Sequence, residues 1–351
     1  MVEAHGMSDT APVTGATGEI RLSGDGKPLR CLVLRNGRVS QPPANLADLS
    51  EILKEPDALV WFDVVDPGPR DLALCQEEFN LHPLAIEDAV TAHERPKIEQ
   101  YGSYWFVIIH ATTLTPAGVA VHEMAVFAGK RFVVTVRHEP AYAVDEIERR
   151  WLAHPRWLHQ DAGFLLYTIL DTVVDGYFPV AEALQDRVDD LEAALFARQP
   201  LGNEVLVEIF SMKQQLQRFR RAVLPLRDIL NPLIRGDLTL FAQEEIAYYR
   251  DVYDHAVRVI DEVDAVRDLV NSALEIHLSV VANRQNEISK QLTIIATIFL
   301  PLSFITGFFG QNFGYMIGHI SGGIAFWGLG IGSEVLALVC LVIFFKVKKW
   351  F

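Results

Sequence analysis

Two apolar runs near the C-terminal end constrain this chain most. The first, at residues 292–309, carries no charged residue over about 18 positions, the minimum length for a helix that crosses a bilayer. The second, at residues 324–345, is longer and contains one charged residue, Glu334. Buried core helices are the alternative, but such helices seldom stay uncharged on every side for so long. The sequence therefore predicts a helical hairpin through a membrane.

The basic residues around the two runs predict the orientation of the hairpin. Lys290 precedes the first run, and Lys346, Lys348 and Lys349 follow the second, whereas the connector at residues 310–323 has neither Lys nor Arg. Short loops rich in Lys and Arg stay on the cytoplasmic side. We therefore expect an inner (plasma) membrane protein whose connector faces outward and whose termini are both cytoplasmic.

One face of the first span is mostly small or polar. Residues at steps of three or four share one stripe of a helix. The members of this stripe are Asn286, Ser289, Leu292, Ala296, Leu300, Ser303, Gly307 and Gly310. Such a stripe suits either close helix packing or the lining of a water-filled pore. Because one helix cannot enclose a pore, the pore interpretation requires several copies of the chain.

The net charge indicates which partners suit the chain, and the cysteines indicate its redox compartment. Half of the residues are hydrophobic, yet the net charge is -14, and the two spans contain a single acidic residue. Nucleic acid is a poor partner for so acidic a surface, whereas multivalent cations suit it, as does simple solubility. Cys31, Cys75 and Cys340 are far apart and lack metal-ligand spacing, which favours a reducing compartment.

The hydrophobic pattern divides the chain into segments and predicts an α+β membrane protein. Residues 1–24 are predicted to be a disordered tail, and residues 25–162 a cytoplasmic α/β domain. Strands are expected at residues 30–35, 58–65, 104–111, 119–127 and 132–137, and helices at 45–53 and 71–79. The later segments are a helical hairpin region at 163–236 (helices 164–196 and 203–224), a stalk helix at 237–290, the spans at 291–309 and 324–345 around the outer loop at 310–323, and a basic tail at 346–351.

The stalk segment has neither Gly nor Pro between residues 238 and 300, so it is predicted to continue into the first span as one helix. Pro301 is expected to kink that helix inside the membrane. Valine and alanine recur along the stalk at alternating steps of four and three, which forms a heptad seam. The seam residues are Val252, Ala256, Val259, Val263, Val266, Val270 and Ala273.

Motifs for catalysis are missing from the sequence. It contains no Walker loop, no Gly-x-Ser-x-Gly and no zinc-binding Cys/His cluster, so an enzyme is not expected and no cofactor is implied. His82 and His93 lie near Glu87 and Asp88 in the sequence, which suits a metal site, although such residues also serve as helix caps and in turns.

Several short stretches carry a family resemblance. They read WFDVVDP at 61–67, LHPLAIED at 81–88, RPK at 95–97, YTILD at 167–171, LPLRD at 224–228, YRDVYDH at 249–255, NE at 286–287 and LTIIATIFLPL at 292–302. In this order and spacing the chain resembles the CorA-type divalent-cation channels, the two-span Gly-x-Asn superfamily, from about Ala58 to Phe351.

The resemblance implies a funnel-shaped homopentamer with a pore lined by the first span. It implies that Gly310, Gln311 and Asn312 form the selectivity filter, where a ring of Asn312 side chains binds a hydrated cation, and that Leu292 and Leu300 form a hydrophobic gate. It also implies that Asp88 and Asp251 bind regulatory cations between neighbouring cytoplasmic domains.

Two departures from the family pattern leave the ion open. Gln311 replaces the Met of the family motif, a position that also varies among the zinc-transporting ZntB relatives. The predicted outer loop has no acidic residue, and His319 is the one side chain in it that commonly binds softer metal ions. We therefore expect a channel for Mg²⁺, with Co²⁺ and Ni²⁺, or else a proton-coupled Zn²⁺ transporter or a non-conducting cation sensor. Glu334 is either a protonatable site for coupling or a group neutralised by close helix packing.

Overall fold

The computed structural model describes residues 19–21, 28–43, 45–91, 94–138, 144–159, 161–196, 203–235, 243–311, 313–320 and 322–348. The chain divides into two compact units, Met1–Ala273 and Leu274–Phe351. The predicted change at residue 163 is therefore a change from sheet to helices inside the first unit. The predicted basic tail at 346–351 is described only as far as residue 348.

Within the described residues, the first unit contains one sheet of eight strands. The strands are β1 (Glu19–Arg21), β2 (Pro28–Arg35), β3 (Arg38–Ser40), β4 (Ala58–Val65), β5 (Lys97–Tyr101), β6 (Tyr104–Thr115), β7 (Gly118–Gly129) and β8 (Phe132–Arg137). Their order is β1-β2-β4-β8-β7-β6-β5, with β3 also paired to β2. β4 and β8 pair in parallel, with Val60 opposite Phe132, and the other pairs are antiparallel.

All five predicted strands are confirmed, and so is the hairpin, in which Ala128 of β7 lies opposite Val133 of β8. The prediction of a disordered tail is wrong at β1, because Glu19–Arg21 pairs with Pro28–Arg30 of β2. The remainder of that predicted tail, at residues 1–18 and 22–24, lies outside the described residues.

The helices follow in chain order. They are α1 (Leu49–Ile52), α2 (Pro69–Glu78), α3 (Pro83–Val90), α4 (Asp145–Leu152), α5 (Gly163–Asp175), α6 (Tyr177–Phe196), α7 (Asn203–Val223), α8 (Leu226–Arg235), α9 (Ile246–Phe309), α10 (Gly314–His319) and α11 (Gly323–Val347). The single helix predicted at 164–196 is two helices, α5 and α6, which meet at Gly176.

One face of the sheet packs against α1, α2 and α3. Alternate side chains of the central strands share this core because successive residues of a strand point to opposite faces. Phe62 of β4, Phe106 of β6 and Phe127 of β7 are fully buried there, and Phe79 after α2 stacks on Phe62 with centroids 5.9 Å apart. Cys31 and Cys75 belong to the same core as free thiols, and burial raises the pKa of both to about 12.

The opposite face carries a buried network of polar groups around Asp63. The indole Nε1 of Trp61 donates to Thr135 Oγ1 at 3.2 Å, and that hydroxyl donates to Asp63 Oδ1 at 2.6 Å. Arg137 Nε donates to the same oxygen at 3.0 Å. A buried charge is costly unless it is paired, and Asp63 of β4 finds its partners, Thr135 and Arg137, on β8. The network therefore links these two neighbouring strands at their parallel junction.

The predicted heptad seam is buried, with all seven residues at most 3 % exposed. Residues beside the seam contact other helices of the same chain. Phe178 of α6 contacts the ring of His255, and Arg220 of α7 pairs with Asp264 at 2.9 Å. The same chain therefore covers the seam, which explains its regularity without a coiled-coil partner.

Within the described residues, three helical segments are long and apolar enough to cross a membrane. The first, Gly163–Leu195, is apolar because it packs in the core, and 72 % of its most apolar window is buried. The windows in α9 and α11 are 0 % and 6 % buried. Exposed apolar surface of that extent is typical of helices that lie in a membrane or against a partner, and the length and hydropathy of these two helices fit a membrane protein.

Candidate ion path and cytoplasmic sites

The predicted pore stripe lies on one exposed face of α9. All eight of its residues, from Asn286 to Gly310, are exposed within the chain, and Leu292 and Leu300 are 68 % and 72 % exposed. At about 100° per residue, the opposite face of the helix holds Ile294, Ile298 and Ile305, which are half-buried. The small and polar stripe therefore lies within the broad surface of the span that its own chain leaves uncovered, together with large apolar residues such as Ile295 and Phe304.

The C-terminal end of α9 stops at the predicted filter. Gly310 N donates to Thr306 O at 2.9 Å and Gln311 N donates to Phe308 O at 3.2 Å, which closes the last helical turn. A Cβ at Gly310 would lie 3.1 Å from Thr306 O, so a larger residue would crowd this turn. Gln311 is exposed, and Asn312 lies outside the described residues. The structure thus describes the base of the filter but not its predicted ion-binding side chain.

His319, in the segment predicted to be the outer loop, is held by its own helix. Its ring stacks on Tyr315 with centroids 4.3 Å apart, and its Nδ1 lies 3.0 Å from Tyr315 O. α10 itself was not predicted, because the sequence assigned residues 310–323 to a loop.

Glu334 lies beside a turn of π-helix in the second span, at Phe326–Ile331. Widening a helix in this way leaves carbonyl groups without their usual donors. The Ser333 hydroxyl lies within hydrogen-bond distance of two carbonyl oxygens, Gly330 O at 2.9 Å and Leu329 O, and its one proton is shared between them. Glu334 then lines a cavity of about 550 Å³ together with Thr306, Gly310, Gln311, Met316 and Phe326.

Asp88, on α3, is paired inside the chain. Its Oδ2 lies 2.6 Å from Lys97 Nζ on β5, and Lys97 also lies 3.3 Å from Glu99 Oε1. The neighbouring His82 is the N-cap of α3, where its Nδ1 accepts from Leu84 N at 3.2 Å. That contact agrees with the capping alternative for His82, and His93 lies outside the described residues.

Asp251, on α9, is exposed and lies near a second group of ionisable residues. Asp171, Asp175 and His255 present ligand atoms within 4.8 Å of one another. Burial, and then the Asp175 charge, raise the pKa of Asp171 to about 6, and Asp251 contributes to that rise. Arg150 Nη1 lies 2.7 Å from Asp175 Oδ2 and 3.3 Å from Asp171 Oδ2, so the cluster already holds a counter-ion. Asp88 and Asp251 thus belong to different groups within one chain.

Comparison with known proteins identifies the family. The profile described as CorA-like Mg2+ transporter protein matches residues 56–349. The cobalt/magnesium transport protein CorA of Thermotoga maritima is 34 % identical over 283 residues, which cover 78 % of each chain. CorA of Methanocaldococcus jannaschii is 25 % identical over 321 residues, which cover 91 % of this chain and 98 % of its own.

The chain belongs to the CorA-like transporter family. The complete structure of the Methanocaldococcus jannaschii CorA magnesium transporter superposes with a TM-score of 0.75 at 22 % identity, covering 92 % of this chain and 98 % of that one. The CorA-like fold therefore holds over both units, with an α/β domain, long helices and two C-terminal apolar helices. The family consists of membrane transporters for metal ions, which agrees with the missing catalytic motifs.

Sequence reasoning missed the cluster of Asp171, Asp175 and His255 as a group, although two of them lie in CorA-like motifs. The spacing of Asp171 and Asp175 by four places both on one face of α5. His255 lies on α9, far along the chain, and no local sequence pattern predicts its contact with the two aspartates of α5.

Proposed function

We propose that this CorA-like chain is a divalent-cation channel of the plasma membrane that works as a homopentamer. The observation that supports it best is the uncovered stripe of α9, which faces away from the half-buried side of that helix. Five such stripes around one axis would enclose a pore of small and polar side chains, with Mg²⁺ as the first ion and Co²⁺ and Ni²⁺ beside it. The N- and C-termini are then cytoplasmic.

Selection takes place at Gly310, Gln311 and Asn312. Mg²⁺ sheds its water slowly, so a ring of neutral amide oxygens suits it by accepting hydrogen bonds from the water shell. Asn312 supplies that ring, and Gln311 adds a second amide where the family has a thioether. Further along the pore from the filter, Leu292 and Leu300 form hydrophobic constrictions, which stop ion flow when water leaves the pore at that level.

Regulation takes place at Asp88 and Asp251 of neighbouring subunits. A divalent cation held between the two carboxylates screens their repulsion and favours one closed arrangement of the pentamer. Loss of that cation removes the differential stabilisation of the closed state, so the subunits separate and the pore opens.

Proton-coupled transport, with Zn²⁺ as the ion, is the second candidate, and Glu334 favours it. An ionisable side chain within a span is costly and is usually functional. Here it lines a cavity that reaches Gln311 of the filter, so a proton on Glu334 changes the charge beside the ion path.

Ion uptake into liposomes that contain the full-length protein tests both candidates. Mg²⁺, Co²⁺, Ni²⁺ and Zn²⁺ are compared with and without a pH gradient, for the wild type, Asn312→Ala and Glu334→Gln. Uptake of Mg²⁺ that ignores the gradient and is lost in Asn312→Ala supports the channel. Zn²⁺ uptake that needs the gradient and is lost in Glu334→Gln supports coupling. Metal binding without any flux contradicts both and indicates a sensor.

A further inference from the structure

Lys97 already occupies the carboxylate to which the proposed regulation assigns a cation. Its Nζ donates to Asp88 Oδ2 at 2.6 Å, and both side chains are about one-quarter exposed, at 27 % and 29 %. Burial opposes the charge of Lys97, but the hydrogen bonds to Asp88 and Glu99 outweigh it and raise the pKa of Lys97. The ammonium group of Lys97 and the carboxylate of Asp88 therefore form an ion pair inside one chain.

The Lys97 ammonium group has a second set of partners, Glu99 and Phe106. Glu99 Oε1 lies 3.3 Å from Nζ, and the ring centroid of Phe106 lies 5.7 Å away, within range of a cation–π contact. Glu99 is itself held, because Tyr101 donates its hydroxyl to Glu99 Oε2 at 3.1 Å. A small rotation of the Lys97 side chain thus exchanges one carboxylate for another without leaving the charge unpaired.

We propose that Lys97 is an internal competitor for the regulatory cation. When divalent metal is scarce, its ammonium holds Asp88; when metal binds Asp88, the ammonium pairs with Glu99 alone. This inference rests on the proposed function, in which Asp88 is a metal ligand. Lys97 thereby sets the metal concentration at which the channel closes, because each binding event must first displace it.

Charge arithmetic gives the direction of the effect. Asp88, Glu99 and Lys97 together carry one net negative charge, and the same group without Lys97 carries two. Attraction of a divalent cation grows with that negative charge, while partial exposure keeps the gain modest. Removing the ammonium lowers the half-inhibiting metal concentration by about two- to five-fold. Removing Glu99 raises it, since the ammonium loses its second partner and the site loses a negative charge.

The test measures currents through the full-length protein in planar bilayers while Mg²⁺ is varied on the side of the α/β domain. Lys97→Met is compared with Lys97→Arg, Glu99→Gln and Asp88→Asn. The matched control is Lys54→Met, which removes a lysine from an exposed pair with Glu51. We expect a lower half-inhibiting concentration for Lys97→Met, a higher one for Glu99→Gln, and values near the wild type for Lys97→Arg and Lys54→Met. Mg²⁺ titration calorimetry on the same proteins should give the same order of affinities.

The opposite signs for Lys97→Met and Glu99→Gln separate competition from a general loss of folding, which would move both variants the same way. If Asp88→Asn abolishes inhibition but Lys97→Met leaves the threshold unchanged, competition is refuted and the regulatory site stands. If Asp88→Asn leaves both inhibition and calorimetric binding intact, Asp88 is not the metal ligand and the inference falls with that part of the proposed function.

Discussion

Tyr249 donates its hydroxyl to the carbonyl oxygen of Gly163 at 2.8 Å, which ties the first turn of α9 to the first residue of α5. Both residues are buried. Glu245, one turn before Tyr249, places its carboxyl so close that a Cβ at Gly163 would lie 1.9 Å from Oε2. The first turn of the long helix is therefore tied to the start of α5, at a position where a side chain would have to displace the Glu245 carboxyl.

Gly163→Ala should destabilise the protein, because its methyl group displaces the Glu245 carboxyl. Overpacking of this kind costs about 1–3 kcal/mol. The thermal unfolding midpoint of the full-length protein in detergent measures the effect. Gly176→Ala is the matched control, since a Cβ there meets nothing nearer than a carbonyl oxygen at 3.3 Å. Equal midpoints for the two variants would contradict the described packing.

Glu245 should make the stability depend on pH. Burial, and then Asp161, raise the pKa of Glu245 from 4.5 to about 10. Between those two values the folded chain holds a proton that the unfolded chain releases, so stability falls as pH rises, by about 1.4 kcal/mol per unit for one proton. Glu245→Gln, which mimics the protonated form, should flatten the decline between pH 6 and pH 9. Unfolding midpoints measured across that range provide the check, and an unchanged slope would mean that Glu245 is ionised in the folded chain.

The Asp63–Arg137 pair should respond asymmetrically to mutation. Arg137→Met leaves the buried Asp63 carboxylate without its charge partner, at a cost of about 3–5 kcal/mol. Asp63→Asn together with Arg137→Met removes both charges and should cost less than Arg137→Met alone, because no charge remains buried. Chemical denaturation of the three proteins distinguishes the outcomes. A double variant that is less stable than Arg137→Met would argue that the pair stabilises the fold beyond mutual neutralisation.

Leu300 should limit ion flux if the stripe lines a pore. Leu300→Ser makes the constriction easier to wet, so uptake of Mg²⁺ into liposomes should rise. Ile295 is the control, since it is 54 % exposed on another face of α9. Ile295→Ser should leave flux near the wild-type value, and a similar rise in both variants would place the pore elsewhere.

Periodic features of the sequence predicted the structure best. The stalk seam and the pore stripe were visible because helical spacing repeats over many residues, and the structure places one inside the chain and the other on an uncovered face. The strands of the hydrophobic core were predicted on a different basis, from short runs rich in β-branched and aromatic residues. Two long apolar runs, the second with Glu334 as its one charged residue, directly predicted the two candidate membrane spans.

Other elements left no hydrophobic pattern. β5 (Lys97–Tyr101) is half-exposed over most of its length and polar, so it showed no alternation, and it became a strand by pairing with β6. α3 begins at a His-Pro pair whose imidazole caps the helix, a less usual cap than Ser or Asp. The π-helical turn at Phe326–Ile331 is a change in backbone hydrogen bonding, which hydropathy does not predict.

The parallel pairing of β4 with β8 has a consequence for how the chain acquires its fold. β2 pairs with β4 across the segment 36–57, which contains β3 and α1, but the other neighbour of β4 is not available until residues 66–131 have been made and β8 follows them. Until then β4 presents an open edge of buried, apolar residues, the kind of edge that recruits other chains. Contacts so distant in sequence form slowly. We therefore expect closure of this junction to be the late step in folding, and nascent chains that stop before β8 to be the ones that aggregate.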